Sequence, residues 1–81
     1  MIDAGHGGKD PGNLNSKADF LQEKHLNLII AKKLGAYIET YLGHKFEVIY
    51  TRTTDTFVEL NDRILIANNN KAHYFISVHC N

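Results

Sequence analysis

The stretch Ile2-Asp3-Ala4-Gly5-His6-Gly7-Gly8-Lys9-Asp10-Pro11-Gly12 is an apolar run broken abruptly by glycines. That pattern reads as a short buried strand turning into a loop, so His6 sits just past the strand's carboxyl end. The closing stretch Phe75-Ile76-Ser77-Val78-His79-Cys80-Asn81 repeats the arrangement, with His79 ending a second apolar run. If both strands belong to one parallel sheet, the two imidazoles emerge along the same edge, where open α/β sheets place their ligands. Two imidazoles on one rim suggest a metal.

Between these ends the pattern alternates. Met1 to Ala4 reads as a clipped strand, and Gly5 to Leu21 as a long loop around the single proline, Pro11. From Gln22 to Leu42, Leu26, Ile30, Leu34, Tyr37, Ile38 and Tyr41 recur at helical spacing, with Lys32, Lys33 and Glu39 elsewhere on the wheel. Gly43 stands at the C′ position of that amphipathic helix. Phe46, Val48 and Tyr50 then alternate with Glu47, Ile49 and Thr51 as a second strand. After the loop Thr51–Asp55, Thr56 and Glu59 fit a capping box. The helix it opens carries Leu60, Ile64 and Ala67 on one face and ends at Asn68-Asn69-Asn70. Tyr74 to His79 is the third strand. The order strand, helix, strand, helix, strand predicts an α/β fold, a mainly parallel sheet with helices on its faces.

Composition bounds the function. A chain of 81 residues is one domain at most. Nine basic side chains balance nine acidic ones, with no cationic stripe, so nucleic acid and membrane surfaces drop out as partners. No stretch approaches a membrane span, and no leader-like segment precedes the first strand. The single cysteine, Cys80, makes no intrachain disulfide, so the core or a metal must hold the fold.

A helix that follows a parallel strand begins on the rim that holds His6 and His79, and Glu23 lies in that first turn. It is either a third metal ligand or a carboxylate complementing the helix dipole. A His, Glu, His set with wide separation is a known solution for catalytic zinc, with the fourth position left open. Such a site acidifies water and polarises a carbonyl, so hydrolysis of an amide or ester is the expected chemistry. A proton shuttle is also required, for which Asp10 and Glu59 are weak candidates. The glycines could instead cradle a phosphate, but Gly8-Lys9-Asp10 lacks the Ser or Thr of a P-loop. Arg52 and Arg63 read as structural partners of Asp55 or of backbone carbonyls. His25, His44 and His73 read as surface side chains, and Cys80 as packing that points away from His79.

Four blocks resemble the zinc-dependent N-acetylmuramoyl-L-alanine amidases of bacterial cell walls, of the type called amidase 3. They are Ile2–Gly12, Glu23-Lys24-His25-Leu26-Asn27-Leu28, Thr51–Val58 with Arg63 and Ala67-Asn68, and Ser77–Asn81. They span nearly the whole chain in the family's order, whereas Asn13–Gln22 matches loosely and Cys80 stands where alanine is more usual. The resemblance implies Zn2+ held by His6, Glu23 and His79. It also implies hydrolysis of the amide between the lactyl group of N-acetylmuramic acid and L-alanine in peptidoglycan, at the cell wall or in the periplasm. Family domains are three-layer αβα structures of roughly twice this length, within the ordinary domain range. By resemblance, residues 1–81 are then a single incomplete catalytic domain, its N-terminal half. The family's catalytic glutamate lies beyond residue 81, and no catalytic residue stands within the chain. The alternative is a truncated, non-catalytic fragment that binds metal or peptidoglycan.

Overall fold

The computed structural model describes residues 1–13 and 22–80. They form β1 (Ile2–Ala4), α1 (Glu23–Leu42), α2 (Leu60–Asn69) and β2 (Ile76–Val78). β1 and β2 run parallel, with Ile2 opposite Ile76, Asp3 opposite Ser77 and Ala4 opposite Val78. On the other edge of β1, Ile2 forms one parallel bridge with Tyr50. There Ile2 N–H donates to Ile49 O at 2.8 Å, and Thr51 N–H donates to Ile2 O at 3.1 Å. β1 is therefore the middle of the assembly. No described helix is long and apolar enough to cross a membrane.

Side chains alternate across β1, and its two faces differ in chemistry. Ile2 and Ala4 form the apolar core with Ala31 of α1, and Leu28, Leu34, Ile38, Val48, Tyr50 and Val78 pack against them. The intervening Asp3 is buried among polar partners: Thr51 Oγ1 and Arg63 Nη1 donate to its Oδ1, and Ser77 Oγ donates to its Oδ2. The carboxylate thereby joins β1, the segment after Tyr50, α2 and β2.

The α/β class, the parallel sheet and both helices match the sequence pattern, but several elements differ in detail. The strand expected over residues 46–51 is reduced to the bridge at Tyr50. Ile2 is the first residue of β1 and offers a single pairing position, while the Lys45 and Phe46 N–H groups turn back to Leu42 O at 2.9 and 3.0 Å. The third strand is shorter than the expected 74–79. The capping box is absent: α2 begins at Leu60, and its N-cap, Glu59, makes no side-chain cap bond. Thr56 lies outside the helix, and its N–H donates to Thr54 O. Gly43 is right-handed, with φ −62°, so it does not close α1 through a left-handed turn. Residues 14–21 of the loop expected over Gly5–Leu21 lie outside the described residues, and the described part, residues 5–13, carries no helix or strand.

The helix faces also differ from the apolar periodicity. α1 buries Glu23, Asn27, Ala31 and Gly35, a single i, i+4 stripe of small and polar residues. Ile30, Tyr37 and Tyr41, expected on the buried face, are exposed. A helix lying over a three-residue strand approaches most closely along one narrow seam. Small side chains fit that seam, and two polar ones use it to reach the end of the sheet. In α2, Leu60 and Ile64 are exposed and Arg63 is the buried residue. α2 thus reaches the sheet through a guanidinium, where an apolar face was expected.

Candidate metal centre

β1 ends at Ala4, and from there the carbonyls of Ala4, Gly5 and His6 have left the sheet ladder. Buried carbonyls need donors. Arg52 supplies Nε to Ala4 O at 2.9 Å and Nη2 to Gly5 O at 2.9 Å. Arg63 supplies Nη1 to Ala4 O at 2.8 Å and Nη2 to His6 O at 2.7 Å. Asn27 Nδ2 adds a second bond to Gly5 O at 3.1 Å. This cradle holds His6 in a left-handed conformation, φ 63°, that non-glycine residues seldom adopt. The carbonyl-binding role expected of the two arginines is therefore correct. The carboxylate partner is not Asp55: Arg63 pairs with Asp3, whereas Asp55 takes Lys24 Nζ and the Gly8 N–H.

Glu23 is the first residue of α1 and is only 3% exposed. Its Oε1 accepts the Asn13 N–H at 2.9 Å, and its Oε2 accepts Asn27 Nδ2 and the Cys80 N–H, each at 3.1 Å. Burial by itself opposes ionisation. The bonds from Asn13, Asn27 and Cys80, with the neighbouring His6, overcome it and bring the carboxyl down to about 2. Asn27 Oδ1 is a buried oxygen without a partner among the described residues. Flipping the amide would aim that oxygen at two acceptors, so its orientation follows from Gly5 O and Glu23.

The two histidines converge on this carboxylate. His6 Nε2 lies 3.2 Å from Glu23 Oε1, and His79 Nδ1, one residue past β2, lies 3.2 Å from Oε2. The rings meet edge to face with centroids 5.0 Å apart. One ligand atom from each of His6, Glu23 and His79 lies within 4.8 Å of the others. Bonds of about 2.0–2.2 Å to a tetrahedral ion place neighbouring ligand atoms a little over 3 Å apart. The donor set and the two 3.2 Å histidine–carboxylate spacings therefore fit such an ion, and the His79 side chain is 44% exposed. A Cβ on Gly12, φ +70°, would lie 2.5 Å from His6 Cδ2 and 2.8 Å from Glu23 Oε1. Gly12→Ala is accordingly expected to lower stability by about 1–3 kcal/mol through backbone strain and crowding, read from urea unfolding.

Of the proton-shuttle candidates, Glu59 is exposed and outside the cluster. Asp10 touches the cluster through His6, with its Oδ2 2.8 Å from Nδ1. The phosphate-cradle reading fails on hydrogen bonding, because Gly7 N–H goes to Asp10 O and Gly8 N–H to Asp55 Oδ1. His44 and His73 are exposed as expected, and His25 is half-buried. Cys80 is a free, half-buried thiol whose backbone, rather than its sulfur, serves the site. Sequence reasoning missed Asn27 and Lys24. Asn27 had a usable signal in its place one turn after Glu23 on the same face. Lys24, bonded to both Asp55 and Gly8 O, had none.

The fold recurs in known proteins. Residues 1–81 match the Amidase 3 family, described as N-acetylmuramoyl-L-alanine amidase. The chain belongs to this amidase family. It is 45% identical to the sporulation-specific N-acetylmuramoyl-L-alanine amidase of Bacillus subtilis (strain 168), covering 100% of this chain and 30% of that protein. It is 42% identical to the amidase AmiA of Salmonella typhimurium, covering 98% of this chain and 26% of the relative. The crystal structure of an N-acetylmuramoyl-L-alanine amidase from Clostridium difficile 630 superposes with a TM-score of 0.91 at 41% identity, over 99% of this chain and 41% of that one. The chain thus spans less than a third of these two curated relatives. Amidases of this family are hydrolases. The catalytic domain of the amidase CwlV from Bacillus (Paenibacillus) polymyxa shares the fold with a TM-score of 0.89 at 42% identity, over 99% of this chain and 43% of that one.

Proposed function

We propose that the protein carrying this chain hydrolyses the amide between the lactyl group of N-acetylmuramic acid and L-alanine in peptidoglycan, with zinc held by His6, Glu23 and His79. The observation that carries the reading is the convergence of three ligand atoms from three separate elements on one point at the carboxyl edge of the sheet. Family membership supports the substrate. Bound zinc would supply a Lewis acid for the amide carbonyl and acidify water.

The chain's own residues do the holding. Glu23 stays ionised to about pH 2, which suits a ligand and makes it a poor general base near neutrality. Its bonds to Asn13, Asn27 and Cys80 fix the carboxylate between the two rings, so ligand geometry is set before an ion arrives. Among the described residues no further carboxylate joins the three-residue cluster. Family resemblance, in which residues 1–81 correspond to the domain's N-terminal portion, is the ground on which we place the proton-transferring group in another part of the domain. The site of action is the cell wall or periplasm.

The test is hydrolysis of a defined muramyl peptide by the full-length protein, followed by the appearance of a free L-alanine amino group. Chelation is expected to stop release, and stoichiometric Zn2+ to restore it. Undiminished cleavage after chelation to metal-free protein would overturn the zinc reading. Cleavage at another bond would overturn the substrate.

A further inference from the structure

Asp10 occupies a position that the proposed chemistry leaves without a role. It stands four residues after His6, in a tight turn where Gly7 N–H donates to Asp10 O at 2.8 Å and Asp10 N–H donates to Gly7 O at 3.0 Å. Each of its carboxylate oxygens has its own partner: Oδ2 meets His6 Nδ1 at 2.8 Å, and Oδ1 accepts the Gly12 N–H at 3.1 Å. A carboxylate only accepts, so His6 Nδ1 must carry the proton of that bond. The ring's other nitrogen, Nε2, is left facing Glu23, where a cation displaces any proton it holds. His79 differs, since its Nδ1 is the nitrogen that meets Glu23.

We infer that Asp10 is a positioning residue that fixes His6 with its proton on Nδ1 and its Nε2 free for the metal, through the Asp10 Oδ2–His6 Nδ1 and Asp10 Oδ1–Gly12 N–H bonds. The two histidines then bind through different nitrogens, His6 through Nε2 and His79 through Nδ1. The turn carrying Asp10 is itself anchored at Gly8. Asp55 accepts the Gly8 N–H, Lys24 donates to the Gly8 carbonyl, and Lys24 and Asp55 pair with each other at 2.9 Å. Asp10 is consequently committed on both oxygens and is not the missing proton shuttle.

The inference rests on the zinc reading, and two substitutions separate it from a merely structural role. In Asp10→Asn the Gly12 N–H still claims the side-chain oxygen, which turns the amide NH2 toward His6 Nδ1. Two donors then face each other unless the imidazole moves its proton to Nε2, where it blocks the metal. A structural role predicts that Asp10→Asn keeps zinc affinity because it keeps the bond to Gly12. A positioning role predicts that it loses affinity at least as fully as Asp10→Ala.

The experiment is Zn2+ competition with a chromophoric chelator on the full-length protein and both variants, with nitrogen-15 histidine spectra of the zinc-loaded wild type. The expected result is a 10–100-fold loss of affinity in Asp10→Asn and Asp10→Ala, the usual range for an outer-shell partner. In the loaded wild type, His6 is expected to show a protonated, hydrogen-bonded Nδ1. Asp10→Asn affinity within threefold of wild type would overturn the inference, as would a His6 ring coordinated through Nδ1. The spectrum of the wild type decides the matter even if both variants fail to fold. A wild type that binds no zinc would instead remove the metal reading itself.

Discussion

Replacing Glu23 by alanine is expected to abolish specific zinc binding, lowering affinity by more than the roughly 100-fold that loss of an outer-shell partner produces. The carboxylate is the only group in the cluster within 3.2 Å of both imidazoles. Without it, His6 and His79 remain as two neutral donors, one of them on an exposed ring. The substitution also releases Asn13 N–H, Asn27 and Cys80 N–H, which all converge on the same two oxygens. Glu23→Gln separates the two losses. It keeps one oxygen for Asn27 Nδ2 and the Cys80 N–H but turns its NH2 toward the Asn13 N–H, so it should lose fewer hydrogen bonds than Glu23→Ala and, without the negative charge, still bind zinc poorly. Equilibrium dialysis, with circular dichroism to confirm folding, reads both variants. Stoichiometric zinc at near wild-type affinity in folded Glu23→Ala would remove Glu23 from the ligand set.

Arg63→Ala is expected to cost about 3–5 kcal/mol, the range for stripping one partner from a buried ion pair. That is a large share of the stability of a chain of 81 residues, on the order of 4–12 kcal/mol at ~0.05–0.15 kcal/mol per residue. The guanidinium pairs with buried Asp3 and also holds the carbonyls of Val58, Ala4 and His6. Removing it therefore loosens α2 and the His6 turn together.

The pH dependence identifies the Asp3 share. Burial acts to raise the Asp3 carboxyl, but the hydrogen bonds from Arg63, Ser77 and Thr51, with the Arg63 charge, bring it below the ordinary aspartate range. A folded value below the unfolded one means stability that is present at neutral pH, above the unfolded value near 3.9. It is lost as pH falls through the folded value. In Arg63→Ala, burial dominates and favours the protonated carboxyl. The gap between wild type and variant should therefore narrow on acidification below about pH 4. Urea unfolding at neutral pH and near pH 3.5 measures it, and a gap that does not change with pH would show that the Asp3 contact contributes little.

The sequence carried the site further than it carried the packing. His6 and His79 were legible because each ends an apolar run, and parallel topology then places both on one rim. The place of Glu23 on that rim followed from where a crossover helix must start, while the pattern left its role open between metal ligand and helix-dipole partner. What misled was the apolar periodicity of α1, since Tyr37 and Tyr41 repeat at helical spacing yet face outward, while Asn27 and Gly35 are buried. Periodicity records which residues could form an apolar stripe. Which stripe is buried depends on the shape it meets, here a three-residue strand whose end exposes carbonyls in need of donors.

By itself the sequence determined the α/β class, the order of the helices between the two histidine-bearing ends, and the placing of His6, Glu23 and His79 on one rim, because local periodicity and chain topology suffice for each; the ligand role of Glu23 came from the family resemblance. The tertiary structure alone decided how those three side chains are held. Arg52, Arg63 and Asn27 are brought to the carbonyls of Ala4, Gly5 and His6 from far along the chain, and the Asn13 and Cys80 amides to Glu23. Hydrogen bonds between residues as far apart as 59 positions leave no mark on local spacing, since they depend on where folding carries each group rather than on its neighbours in sequence.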